Sequence, residues 1–381
     1  MEKFDIYKDI AERTGGDIYI GVVGPVRTGK STFIKRFMDL LVLPNISDVH
    51  SRERAKDELP QSASGKTIMT TEPKFVPNEA VQITLGENTN MRVRMIDCVG
   101  YLVPEAEGHM DGEMPRMVHT PWSDEAMPFL EAAEMGTKKV ITDHSTIGIV
   151  VTTDGTVTEL SRENYIEAEE RVIQELKDMG KPFVILLNTA TPYSDATAIL
   201  VQDMEEKYGV PVIPVNVAQL KADDIKMILE RVLYEFPMRE IRFYFPGWVE
   251  TLEDDHWLKK SLVEGLKEIM DKADRLADVS NAIVGLESKD FLKKVFSDRI
   301  LPGEGAVDVA LTFDDGLFYR ILSETVDLPI ENDYALISTI RMLSETKKEY
   351  DKIATALNDV KRKGYGVVTP VFNEIVLEKP Y

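Results

Sequence analysis

Apolar, β-branched runs recur along the first part of the chain, at 18–23, 81–85, 93–96, 147–152, 183–187 and 212–217. Between the later runs, apolar residues return every third or fourth position over 161–179, 194–208 and 223–234, the spacing of helices with one buried face. Strands alternating with helices predict an α/β fold with a mostly parallel sheet and helices on both sides. The 81–85 and 93–96 runs leave no room for a helix between them and predict an antiparallel hairpin.

The pattern changes after Phe236-Pro237. An aromatic run, Ile241-Arg242-Phe243-Tyr244-Phe245-Pro246-Gly247-Trp248, reads as a packed strand or domain seam. Next comes an amphipathic helix with Trp257, Leu258, Leu262, Leu266, Ile269, Met270, Ala273 and Leu276 on one face. Two apolar runs, 307–313 and 317–323, flank Asp314-Asp315-Gly316, which reads as a hairpin turn. A long helix is expected over 334–363, then a β-rich end. The expected organisation is a nucleotide-type domain over 1–240, a middle α+β domain over 241–334, and the start of a C-terminal helical/β region over 335–381.

Charge narrows the partners. The chain has 381 residues, with 66 Asp or Glu against 45 Lys or Arg, for a formal charge of −21. Such a negative potential disfavours a nucleic acid or bare anionic lipid as direct partner. Cys98 is the single cysteine, so no intrachain disulfide forms and a reducing compartment is expected. It reads as a small buried hydrophobe. No apolar run is long enough for transmembrane insertion, and the start carries acids where a secretory signal needs cations. A cytoplasmic protein is expected.

The strongest chemical signal is Gly24-Pro25-Val26-Arg27-Thr28-Gly29-Lys30-Ser31, followed by Thr32. It is a G-x-x-x-x-G-K-S loop entered from a strand and leaving into a helix marked by Phe33, Ile34, Phe37, Leu40 and Leu41. The loop's N–H groups can cradle phosphates, Lys30 can reach the outer phosphates, and the Ser31 hydroxyl suits Mg²⁺. A P-loop nucleotide site is expected.

A second strand ends in Asp97-Cys98-Val99-Gly100. Asp97 would hold Mg²⁺ through its water shell, and the Gly100 amide would face the γ-phosphate. The residue after Asp97 is not a carboxylate, which places the site with the GTPase-like (TRAFAC) lineage. The intervening stretch, Ser62 to Pro73, suits a loop closing on nucleotide, with Thr70 or Thr71 bonding Mg²⁺ and γ-phosphate. His109, His119 and His144 have no metal-ligand spacing on a recognisable element.

Two departures from that lineage matter. The fifth strand ends in Asn188-Thr189-Ala190-Thr191, where GTPases carry Asn-Lys-x-Asp. Without the carboxylate that reads guanine, the guanine requirement should be lost, which favours ATP. Tyr101 stands where small GTPases place a water-orienting Gln. Arg27, inside the loop, either supplies a fixed charge beside the β- and γ-phosphates or points to solvent.

The phosphate-loop segment, Thr70-Thr71-Glu72-Pro73, Asp97-Cys98-Val99-Gly100-Tyr101 and the altered base-reading motif together resemble the stage IV sporulation protein A family. Phe245-Pro246-Gly247-Trp248 and Phe313-Asp314-Asp315-Gly316 carry the similarity into the second half. The resemblance implies an ATPase that assembles into a static polymer, the basement layer of the endospore coat. Lys30, Asp97, Thr70 and Thr71 match the family's phosphate-loop lysine, metal-site aspartate and γ-phosphate-sensing threonines. It also implies a mother-cell location at the forespore surface and a small amphipathic membrane anchor, stage V sporulation protein M, with other coat morphogenetic proteins as partners. A further C-terminal segment beyond Tyr381 is expected from the family. Two other functions fit the residues: a GTPase of ribosome-assembly type, and a scaffold that nucleotide merely rigidifies.

Overall fold

The computed structural model describes residues 6–60, 74–85, 89–98, 100–103, 110–111, 114–120, 123–287 and 289–368. Helix α1 (Ile6–Thr14) leads into β1 (Asp17–Val23), the phosphate loop and α2 (Lys30–Phe37). Helix α3 (Val49–Asp57) precedes the hairpin of β2 (Lys74–Leu85) and β3 (Thr89–Asp97). Two small hairpins follow, β4 (Met110–Asp111) with β5 (Met114–Pro115) and β6 (Met117–Thr120) with β7 (Ser123–Pro128). Then come α4 (Phe129–Lys139), β8 (Ile147–Thr153), α5 (Glu163–Asp178), β9 (Phe183–Asn188), α6 (Asp195–Tyr208), β10 (Val212–Val215) and α7 (Ala222–Tyr234).

These strands form one six-stranded sheet in the order β10-β9-β8-β1-β3-β2. Every neighbouring pair is parallel except β2 with β3, as the short spacing between those runs predicts. Residues of β8 and β9 are buried throughout, which explains why their sequences are continuous apolar runs rather than alternations. The two-residue period still sorts the side chains. Ile18, Ile20, Val22, Ile149, Val151, Val184 and Leu186 join one core with Phe33, Ile34 and Phe37 of α2 and Ile228 and Val232 of α7. Val150, Ile185 and Leu187 join the other, with Val172, Ile173 and Leu176 of α5. Parallel strands sandwiched this way put their C-terminal ends, and the loops that follow, on one edge of the sheet.

Beyond α7 lie β11 (Glu240–Tyr244), α8 (Trp257–Lys272), α9 (Val279–Glu287), β12 (Leu292–Leu301), β13 (Ala306–Phe313), α10 (Leu317–Val326) and α11 (Asp333–Lys363). A three-stranded sheet has the order β11-β13-β12, with Glu240 to Tyr244 parallel to Ala306 to Ala310. The aromatic run begins as this edge strand. On α8, Leu258, Leu262 and Ile269 are buried, but Trp257 and Met270 are exposed, so the apolar face is narrower than expected. The 317–323 run is a helix and not the second arm of a hairpin. Leu317 and Ile321, four apart, are its buried positions, and Gly316 is its N-cap. The β13 strand finds its partners elsewhere in the sheet.

The chain forms two compact units, 1–286 with 295–310, and 287–294 with 311–381. In the second, the Phe291 and Phe313 rings stack with centroids 6.4 Å apart, and Lys293 pairs with Asp315 at 2.7 Å. The β-rich end expected after the last helix lies mostly outside the described residues.

Candidate functional site

The loop between β1 and α2 needs unusual backbone. Gly24, Arg27 and Gly29 all have positive φ, at 131°, 67° and 101°. For Arg27 this is a left-handed conformation that a non-glycine residue holds only when its surroundings demand it. Pro25, Val26 and Thr28 are buried, and the Thr28 hydroxyl donates to the Pro25 carbonyl at 3.0 Å. Ser31 and Thr32 sit half-buried in the first turn of α2.

A second segment fixes the loop from the side. The Val26 N–H donates to the Tyr101 carbonyl at 2.9 Å, and the Tyr101 N–H donates to the Gly24 carbonyl at 3.3 Å. This short ladder brings Gly100 against the loop. A Cβ on Gly100 would lie 2.4 Å from the Gly24 carbonyl oxygen and 2.5 Å from Lys30 Nζ, and its φ is 91°. Only glycine fits there.

Lys30 is buried and donates to the Pro25 carbonyl at 2.6 Å and the Gly24 carbonyl at 3.3 Å. Burial pulls its pKa down from 10.5 to about 8, with Asp97 opposing the drop. The Ser31 hydroxyl donates to Asp97 Oδ2 at 2.7 Å. The other oxygen, Asp97 Oδ1, is buried without a hydrogen-bond partner. Burial raises the Asp97 pKa, against the Ser31 bond and the Lys30 charge. An orphaned carboxylate oxygen beside a serine hydroxyl fits a hard cation. Among the described residues no group of three or more His, Cys, Asp or Glu could hold a metal. A cation at Asp97 and Ser31 would therefore complete its shell with phosphate oxygens and water, as Mg²⁺ commonly does.

The loops after β9 and β10 meet the far end of the phosphate loop. Asn188 Nδ2 donates to the Thr28 carbonyl at 2.9 Å, and its Oδ1 accepts the Val217 N–H at 3.1 Å. Thr189, in the lysine position of the GTPase motif, is fully buried, and its hydroxyl accepts the Thr191 N–H at 3.1 Å. The Thr156 hydroxyl, from the loop after β8, accepts the Ala190 N–H at 2.8 Å and donates to Asp154 at 2.6 Å. The Asn188–Thr191 segment is thus held by hydrogen bonds from both neighbouring loops, with no carboxylate in it.

Tyr101 is buried. Its hydroxyl donates to Glu175 of α5, and the Arg171 guanidinium lies 5.1 Å from its ring centroid. This side chain is committed to the core and does not stand in for a water-orienting glutamine. Cys98 is buried too, and burial pushes its thiol pKa up.

The structure thus brings Gly24, Pro25, Val26, Arg27, Thr28, Gly29, Lys30, Ser31, Asp97, Gly100 and Asn188 together. Thr70 and Thr71 lie outside the described residues. Thr156 and Val217, and the pair of half-buried Arg162 with buried Glu169 at the start of α5, have no signature in the sequence. Arg162 reaches Glu169 at 2.5 Å and 2.6 Å and also the Thr152 hydroxyl at 3.2 Å, tying α5 to the end of β8.

Comparison with known proteins gives this geometry a family. The family described as stage IV sporulation protein A, ATPase domain, matches residues 1–237, and its middle domain matches residues 238–381. The chain is 53% identical over 376 residues to stage IV sporulation protein A of Clostridioides difficile (strain 630), covering 99% of this chain and 77% of that protein. It is 50% identical over 380 residues to the protein of that name from Bacillus anthracis, and 48% over 380 residues to that from Bacillus subtilis (strain 168). Both of those alignments cover 100% of this chain and 77% of the relative.

Proposed function

Since the chain belongs to the stage IV sporulation protein A family and is an ATP hydrolase of sporulation, we propose that its hydrolysis of Mg-ATP drives self-assembly into a static polymer. That polymer forms the basement layer of the endospore coat, on the mother-cell side of the forespore surface. A small amphipathic membrane peptide, stage V sporulation protein M, anchors it, and other coat morphogenetic proteins join it.

The observation that carries the nucleotide chemistry is the Lys30–Ser31–Asp97 cluster beneath the Gly100 amide. Lys30 is bonded to the loop's own carbonyls. On binding, those bonds are exchanged for the outer phosphates, and the loop N–H groups turn to the same ligand. Ser31 and the orphaned Asp97 oxygen would hold Mg²⁺, which would supply charge neutralisation at the β- and γ-phosphates. The Gly100 N–H senses the γ-phosphate, and Thr70 and Thr71 bond it. Arg27, held at positive φ, adds a fixed charge. Asn188 sets the loop's far end, and Thr191 in place of an aspartate removes the demand for guanine.

Release of the γ-phosphate frees the Gly100 and Thr70/Thr71 segments to adopt a polymer-competent arrangement. The committed side chain of Tyr101 favours a second reading, in which nucleotide rigidifies a scaffold and hydrolysis is incidental. Pelleting with Mg-ATP, ADP, GTP and a non-hydrolysable ATP analogue separates the two. Assembly with ATP alone supports hydrolysis-driven polymerisation, and equal assembly with the analogue supports the scaffold.

A further inference from the structure

Helix α11 spans Asp333 to Lys363, about 45 Å at 1.5 Å per residue. Leu336, Thr339, Leu343, Thr346, Tyr350, Ile353, Leu357 and Val360 alternate strictly three and four apart along it. That spacing keeps eight positions on one seam, as in the a and d sites of a coiled coil. Leu343, Tyr350, Ile353, Leu357 and Val360 are nevertheless between 36% and 51% exposed. The returning segment 364–368 touches the helix at Ala356, its one buried residue among those described, which is not on this seam. The opposite side carries Arg341, Glu345, Lys348 and Lys352. Ile340 and Met342, also exposed, flank the seam and widen its first half, and an apolar heptad face of this kind is built for another helix.

We propose that α11 pairs with α11 of a second copy of the chain as an antiparallel coiled coil. The inference rests on the self-assembly reading above in taking a second copy as occupant, and two features of the helix support that choice. First, its ends differ in charge. Glu331 and Asp333 stand at the start, and Lys361, Arg362 and Lys363 at the end. An antiparallel pair sets the acidic end of each copy against the basic end of the other, whereas a parallel pair stacks three cations on three.

Second, the seam is complementary to its own reversal. With the two helix ends aligned, Leu343 falls opposite Ile353 of the second copy, and Leu336 opposite Val360. Thr346 falls opposite Tyr350, and Thr339 opposite Leu357, so each threonine meets a large side chain. In a parallel pair Tyr350 would face Tyr350, and the threonines would face each other. Alternating large and small residues across a seam fill it without voids. The resulting contact is two-fold and closed, a dimer unit from which ATP-driven assembly proceeds through other surfaces.

The test is sedimentation velocity of the 381-residue chain over a concentration series without nucleotide. A monomer–dimer equilibrium is expected. The double variant Leu343→Asp/Leu357→Asp should weaken it at least ~10-fold, since the aspartate at 343 would face Ile353 of the second copy and the one at 357 would remove the large side chain that packs on Thr339. Both side chains are exposed in a single copy, so circular dichroism at concentrations where the wild type is monomeric should not change. Lys348→Glu, on the polar face, should leave the dimer intact. Spin labels at Lys363→Cys, with Cys98 buried and unlabelled, should lie about 45 Å apart, against about 10 Å for a parallel pair. A monomer at every concentration, a dimer indifferent to the aspartates, or the short label distance each overturns the proposal. Because nucleotide is absent, a dimer that forms but never responds to ATP would overturn the function above and leave this contact standing.

Discussion

Lys30 should destabilise the protein that carries it. Its ammonium is buried among the carbonyls of its own loop, and its pKa falls from 10.5 to about 8. That drop corresponds to a cost of about 3 kcal/mol for keeping the charge in the folded state at pH 7. Lys30→Met keeps the stem's volume and removes the charge. The Pro25 carbonyl still accepts the Thr28 hydroxyl at 3.0 Å, so little is left unsatisfied. Unfolding by urea should therefore show the variant more stable than wild type by about 2 kcal/mol at pH 7.

The sign with pH follows from proton counting. Below pH 8 the lysine is charged in both folded and unfolded chains, and the full cost is felt. Between about 8 and 10.5 the folded state has lost the proton and the unfolded state keeps it, so wild-type stability rises relative to the variant and the gap closes. Calorimetry should show the same variant losing ATP affinity by at least ~100-fold, because the cation that meets the outer phosphates is gone. A Lys30→Met protein less stable than wild type, or a gap constant from pH 7 to pH 10, would refute the reasoning.

Other substitutions probe the site from different sides. Gly100→Ala should cost about 1–3 kcal/mol in urea unfolding and at least ~10-fold in ATP turnover, since its Cβ would meet the Gly24 oxygen at 2.4 Å. Arg27→Gly should stabilise the fold by about 1 kcal/mol by relieving a φ of 67°. Its turnover should fall, and a wild-type rate would end the catalytic role of the guanidinium. Glu169→Gln should destabilise by about 3 kcal/mol, leaving the Arg162 cation poorly compensated where Glu169 is fully buried. Arg162→Met/Glu169→Leu together should recover most of that loss on the same assay.

How much could be read beforehand depends on the range over which the cause acts. The buried runs of β8 and β9 and the strand–loop–helix around Lys30 are local patterns, and local patterns survive into the fold. Asp314-Asp315-Gly316 is also local but ambiguous: a turn after a strand suits a returning strand or a helix N-terminus equally. The burial of Leu317 and Ile321 decides for the helix. Trp257 and Met270 share helical spacing with core residues, yet the neighbours that would cover them are not specified by that spacing. The polar joints of the site are wholly non-local. Asn188 reaches Thr28 across 160 positions, and Tyr101 reaches Glu175 across 74. No motif announces such bonds, because each depends on where the sheet order places two loops.

Phosphate release under saturating nucleotide tests the central claim most directly. With Mg²⁺ present, the 381-residue chain should liberate phosphate from ATP faster than from GTP, and Asp97→Ala should abolish that turnover. Turnover of GTP alone, or an Asp97→Ala protein as active as wild type, would contradict the account.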